Sequence, residues 1–92
     1  MVYITHIRMV PGGTGHAHIS DVKWRNPGDG KVGESTRAAM VDWIDNKAGD
    51  AKVTDGKTTV DVVTVANTPH PKYLRTAANG KLADNLLALP RF

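Results

Sequence analysis

Ser35-Thr36-Arg37-Ala38-Ala39-Met40-Val41-Asp42-Trp43-Ile44-Asp45-Asn46-Lys47 is the stretch whose reading decides the fold. Ala39, Met40, Trp43 and Ile44 recur at the i, i+1, i+4, i+5 spacing of one helical face, and Arg37, Asp42 and Asp45 fall elsewhere on the wheel. Ser35 offers a side-chain oxygen to the unpaired N–H groups of a first turn, so it is the expected N-cap, and Gly49 fits the stop after Lys47-Ala48. No other segment carries a helical period of this kind. Whatever else the chain builds, it builds around one amphipathic helix.

On the N-terminal side of that helix, residues 2–10 are dense in β-branched and aromatic types and stop at Pro11-Gly12-Gly13, which predicts a strand and a turn. Residues 18–25 alternate: Val22 and Trp24 share one face, Asp21, Lys23 and Arg25 the other, as in an antiparallel strand wetted on one side. The breakers Asn26-Pro27-Gly28-Asp29-Gly30 then lead toward the helix. On its C-terminal side, Asp55-Gly56 between Ala51–Thr54 and Lys57–Val65 predicts a tight hairpin, and Asn79-Gly80 after Tyr73-Leu74-Arg75-Thr76 predicts another. Asn67-Thr68-Pro69-His70-Pro71 reads as a stiff loop between strands. Leu86, Leu87 and Leu89 each stabilise by roughly 1.5–3 kcal/mol when buried, so the closing segment is expected to pack back on the body as a latch. The expected architecture is α+β: a small antiparallel sheet with element order β-β-α-β-β-β and the helix packed on one face, all in a single domain over residues 1–92.

Composition excludes more than it assigns. Ninety-two residues without cysteine can supply neither a disulfide framework nor a zinc ribbon. Met1–Arg8 lacks a basic leader followed by an apolar run, and no apolar stretch approaches the ~20 residues that span a bilayer. A cytoplasmic location without membrane attachment is the expectation. The net charge of +3 divides unevenly: residues 1–27 sum to +2, 28–66 to −2 and 67–92 to +3. The excess therefore lies at the two ends of the chain, where neighbouring terminal strands would form a mildly basic face.

The motifs that suggest chemistry fail on inspection. Gly28-Asp29-Gly30-Lys31-Val32-Gly33-Glu34-Ser35-Thr36 follows a phosphate-binding loop except that Glu34 stands where a lysine must reach the β- and γ-phosphates, and a carboxylate there repels the ligand. Gly12-Gly13-Thr14-Gly15 is a hairpin loop with a strand where a helix N-terminus would be needed. His16 and His18 would project to one side of an extended chain, with His6 as the only plausible third ligand, short of a convincing metal site. Ser20 and Ser35 lie in no nucleophile elbow, and Asp42 and Asp45 sit on a solvated helix face. No catalytic residue, cofactor or metal is expected.

Four segments taken together resemble a known family: Tyr3-Ile4-Thr5-His6-Ile7-Arg8-Met9, His18-Ile19-Ser20-Asp21-Val22-Lys23-Trp24, Tyr73-Leu74-Arg75-Thr76, and Asn85-Leu86-Leu87-Ala88-Leu89-Pro90-Arg91-Phe92. In order they are similar to short bacterial and phage proteins catalogued as a domain of unknown function, with an Ile-Thr-x-Ile-Arg opening, a Tyr-Leu-Arg strand and an Asn-Leu-x-x-Leu-Pro ending. The loops Pro11–Ala17 and Asn26–Gly33 are longer than in compact members. The resemblance implies a small accessory or phage-encoded factor and carries over no activity. The functional expectation is a non-enzymatic module that binds a protein partner through a sheet edge or face, with homodimerisation by edge-strand pairing as one form of it. The alternative is weak nucleic-acid binding on a basic sheet face. Arg8, Lys23, Arg25, Tyr73 and Arg75 are the candidate surface for either.

Overall fold

The computed structural model describes residues 1–13, 15–54, 59–76 and 86–92. The first strand, β1 (Val2–Met9), shows why simple alternation is not enough. Val2, Ile4 and Ile7 are all buried, yet Ile4 and Ile7 are three residues apart and would fall on opposite faces of a regular strand. A bulge resolves the conflict: Ile4 pairs with Trp24 and His6 with Lys23 of β2 (Ile19–Arg25), leaving Thr5 as the extra residue. The extra residue returns Ile7 to the core opposite Val22, and sends His6 and Arg8 outward beside Lys23 and Asp21.

After β2 the chain forms a further strand where the sequence predicts only a loop leading into the helix. β3 (Val32–Thr36) runs antiparallel to β2, with Trp24 opposite Gly33 and Lys23 opposite Glu34. The observed order is thus β-β-β-α-β-β-β among the described residues, one strand more than expected. Its glycine and polar residues hide it from propensity, and pairing with β2 supplies what propensity does not. The helix α1 (Arg37–Asn46) follows directly, and its cap moves one residue from the expected position: Thr36 Oγ1 accepts the Ala39 N–H at 3.1 Å. Ser35 is instead taken by the Trp24 indole N–H, which donates to its hydroxyl at 3.1 Å. At the other end the left-handed residue is Ala48 (φ 53), not the expected Gly49. Gly49 serves by its missing side chain, because Trp43 packs directly on it.

With β4 (Ala51–Thr54), β5 (Thr59–Asn67) and β6 (His70–Thr76), the described residues form a six-stranded sheet in the order β3-β2-β1-β4-β5-β6. All neighbours are antiparallel except β1 and β4, where Val2 faces Ala51 and Tyr3 faces Lys52 in parallel. A parallel pair requires a crossover, and α1 lies within the one that joins them. β4 and β5 pair as the expected hairpin from Val53–Val60 and Thr54–Thr59, although the Asp55-Gly56 turn lies outside the described residues. The Asn79-Gly80 turn lies outside them too. The stiff loop expected at residues 67–71 is shorter in fact: Thr68-Pro69, joined by a cis peptide, turns the chain, and Pro71 is already within β6.

The core contains Ile4, Ile7, Ile19 and Val22 from β1 and β2, Met40 from α1, Val53, Val60 and Val62 from β4 and β5, Leu74 from β6 and Leu86. Of the predicted helical stripe, Met40 is buried, Trp43 and Ile44 are half-buried, and Ala39 is exposed. The latch is present. Leu86 is fully buried, and beyond it the Ile7 N–H donates to Pro90 O at 3.0 Å while Phe92 N–H donates to Ile7 O at 3.2 Å. These bonds make a short parallel bridge along the part of β1 that β4 leaves unpaired.

Polar contacts join α1 to the β5–β6 hairpin. Asp45 accepts from Lys72 Nζ at 2.8 Å and from Thr64 Oγ1 at 2.6 Å, and Arg37 donates to the Lys72 carbonyl. The Lys72 ammonium, then the Thr64 hydroxyl, hold the Asp45 carboxyl below its ordinary value of 3.8. A carboxyl depressed on folding contributes stability that is present above 3.8 and is lost as pH falls through the lowered folded-state value. Asp45→Asn is therefore expected to be less stable than the wild type near neutral pH, with the gap closing in acid below that range. Urea midpoints across the acid range would show it, and a gap independent of pH would contradict it.

Candidate functional site

Two surfaces meet at the β3 end of the sheet. On the outer face, away from α1, the bulge and the register place side chains in rows across β1, β2 and β3: Tyr3–Arg25–Val32, His6–Lys23–Glu34 and Arg8–Asp21–Thr36. Phe92 reaches this face from the closing segment. The Arg8 guanidinium lies 4.4 Å and the Lys23 ammonium 4.8 Å from the centre of its ring, and Arg8 Nε also donates to the Phe92 carbonyl at 3.2 Å. Arg25 lies over Tyr3 at 5.9 Å. Ring faces carry partial negative charge, so these contacts hold three cations in one patch where repulsion alone would spread them.

Of the five sequence candidates, Arg8, Lys23 and Arg25 come together here. Tyr73 and Arg75 do not: they stand on β6, and β1, β4 and β5 intervene between it and β2. The first and last strands are thus not neighbours, and the basic face is built from β1, β2 and the closing segment. Acidic residues interrupt it. Lys23 meets Glu34 at 3.9 Å, and Lys52 pairs with Asp61 and, at 3.5 Å, with Asp50; the bond to Asp61 raises the Lys52 pKa above its ordinary value. The sequence reading gave no role to Phe92 or Tyr3. Their signal was available: Tyr3 alternates with the apolar Val2 and Ile4, and Phe92 follows the cation Arg91, so two of the five aromatics sit off the apolar pattern.

The second surface is the outer edge of β3, along which no strand pairs among the described residues. Asn26 N–H donates to Lys31 O at 2.7 Å, closing the β2–β3 loop, and the hydrogen-bonding phase repeats every second residue from there. Gly33 and Ser35 therefore bond toward β2, while the N–H and C=O groups of Val32 and Glu34 point out of the sheet. Val32 is 73% exposed. On the helix side of the sheet lies a cleft of about 430 Å³ between α1, which lines it with Ala39, Met40, Asp42 and Trp43, and the strands, which line it with Val2, Trp24 and, from β3, Ser35; Asn26 and Lys47 complete the lining.

Among the described residues, no three His, Cys, Asp or Glu side chains group to hold a metal ion. His16 and His18 lie on a 3₁₀ turn (His16–His18), not on an extended strand, so the assumed common projection does not apply. The phosphate-loop pattern ends inside β3, with Glu34 paired to Lys23 across the ladder. No helix among the described residues is long and apolar enough to cross a membrane.

The family described as "Protein of unknown function (DUF3892)" matches residues 3–90. No curated protein and no solved structure matches the chain.

Proposed function

This chain belongs to the DUF3892 family, and from that premise we propose that it is a non-enzymatic interaction module that captures a protein partner by strand addition at the outer edge of β3. The observation that carries the reading is the outward-pointing backbone of Val32 and Glu34 beside an exposed valine. An exposed row of N–H and C=O groups is a template for another strand, and folded proteins ordinarily blunt such edges. At the sheet's other end β6 carries Pro71, which has no N–H to donate. A bacterial or phage accessory factor working in the cytoplasm fits a cysteine-free chain of this size.

Val32→Pro tests the reading. It removes one outward donor, leaves the bonds from Gly33 and Ser35 to β2 in place, and changes stability by no more than about 1 kcal/mol because the side chain is already in water. A partner retained by the immobilised wild-type chain from its host's extract should be lost with this variant, while charge reversal at Arg75 leaves capture intact. Equal retention by Val32→Pro would remove the edge from consideration.

A second reading, weak single-stranded nucleic-acid binding, is favoured by one observation: Arg8, Lys23 and Arg25 cluster with the rings of Phe92 and Tyr3. If it holds, affinity for an unstructured oligonucleotide falls steeply with salt, with a slope set by about three phosphate contacts, and Arg8→Glu abolishes it. Absence of binding, or a flat salt response, discards it.

A further inference from the structure

We propose that the edge of β3 reads the sequence of the strand it adds: an aromatic or large apolar side chain enters the cleft against Trp24, and a Lys or Arg next to it pairs with Glu34. This rests on the strand-addition reading and specifies its partner as an extended segment with that alternation.

The argument starts from the hydrogen-bond phase. An antiparallel strand added to β3 bonds to Val32 and Glu34, so the residue opposite Gly33 occupies a non-hydrogen-bonded pair, where Cα atoms approach to about 4.5 Å and side chains come closest. That residue projects to the helix side, the face shared by Gly33, Ser35 and Trp24. Nothing on Gly33 stands in its way. The Trp24 indole already fills the space a side chain at residue 33 would need: a Cβ there would lie 2.5 Å from Cζ2 and 3.0 Å from Cη2. The outer edge of the indole thus reaches the margin of the sheet, held in orientation by its bond to Ser35. The incoming side chain meets this aromatic edge first, and the cleft continues from Trp24 and Ser35 to Met40 and Trp43 of α1.

The next residue of the added strand lies on the outer face opposite Glu34. The Glu34 side chain is 57% exposed, and its nearest cation, Lys23 at 3.9 Å, is shared with the Phe92 ring. A cation on the new strand completes this pair. The same carboxylate argues against a second copy as the occupant. Antiparallel self-pairing over the whole of β3 is centred on residue 34 and sets two glutamates directly opposite each other, a destabilising contact.

The probe is the synthetic peptide acetyl-Thr-Val-Lys-Phe-Thr-amide, which places Lys opposite Glu34 and Phe opposite Gly33, titrated into the ¹⁵N-labelled full chain. The amides of Val32 and Glu34 and the Trp24 indole N–H are expected to shift together. Replacing the peptide's Phe by Ala, or plugging the cleft with Ala39→Leu at an exposed helical position, should each weaken binding about tenfold. Glu34→Lys should invert the preference, favouring a peptide with Glu in place of Lys. If the β3 amides shift while the indole does not, and the Phe-to-Ala peptide binds equally well, the cleft has no part and strand addition alone survives. If no β3 amide responds, strand addition fails and this inference fails with it. Shifts at β3 that grow with protein concentration before any peptide is added would identify a second copy as the occupant and overturn the proposal.

Discussion

Leu86→Ala is expected to lower the unfolding free energy by about 2–5 kcal/mol, the range for truncating a fully buried leucine and leaving a partly collapsed cavity. Leu86 has no solvent exposure and belongs to the same core as Ile7, Val22 and Leu74. Its position in sequence amplifies the effect. The segment it anchors supplies the backbone bonds to Ile7 and delivers Phe92 to the outer face. A domain of this size has a total stability of about 5–14 kcal/mol, so the loss is a large fraction of it, about 4–8 °C of melting temperature for each kcal/mol. Thermal and urea unfolding measure it directly. Leu89→Ala, at a half-buried position, should cost clearly less. Equal and small losses at both sites would mean that the closing segment only rests on the surface.

Gly49→Ala is expected to destabilise by about 1–3 kcal/mol through overpacking. A Cβ at residue 49 would lie 2.2 Å from Cδ2 and 2.3 Å from Cε3 of Trp43, distances that force the indole or the backbone to move. The backbone is held by the Gly49 N–H bond to Trp43 O at 2.9 Å, and the indole packs against the core. Gly49 does not have a positive φ, so backbone strain does not account for the cost. A double-mutant cycle separates the causes. With Trp43→Leu in place, Gly49→Ala should cost little, giving a coupling on the order of 1 kcal/mol or more. A cost that persists without the indole would point to the chain reversal itself. Because Trp43 also lines the cleft beside β3, the same substitution should weaken binding of the Phe-containing peptide.

Much of the fold was legible because it rests on local patterns. The alternation of Val22 and Trp24 against Lys23 and Arg25 gave β2 and its two faces, and the helical stripe through Met40, Trp43 and Ile44 gave α1. The leucines of the closing segment announced their burial by the cost of leaving them in water. β3 was missed because Val-Gly-Glu-Ser-Thr carries little strand propensity, and because its glycine falls within a pattern that resembles a phosphate loop. The cap moved from Ser35 to Thr36 for a related reason: once Ser35 is the last inward residue of a strand, Trp24 claims its hydroxyl. Of the candidate site, the charges of Arg8, Lys23 and Arg25 were readable, but their separation from Tyr73 and Arg75 was not.

By itself the sequence determined the residue types at each turn, the apolar faces of β2 and α1, the absence of cysteine chemistry, and the excess of basic charge at both ends of the chain. Tertiary structure decided strand order, the bulge at Thr5 that turns His6 and Arg8 outward, and which strand stands at the end of the described sheet. The division has a physical cause. Periodicity, propensity and charge act over a few residues and are written locally, whereas strand neighbours and register are selected by the burial of all apolar faces at once. The position of β3 at the edge, with Gly33 beside Trp24, exists only as an outcome of that global selection.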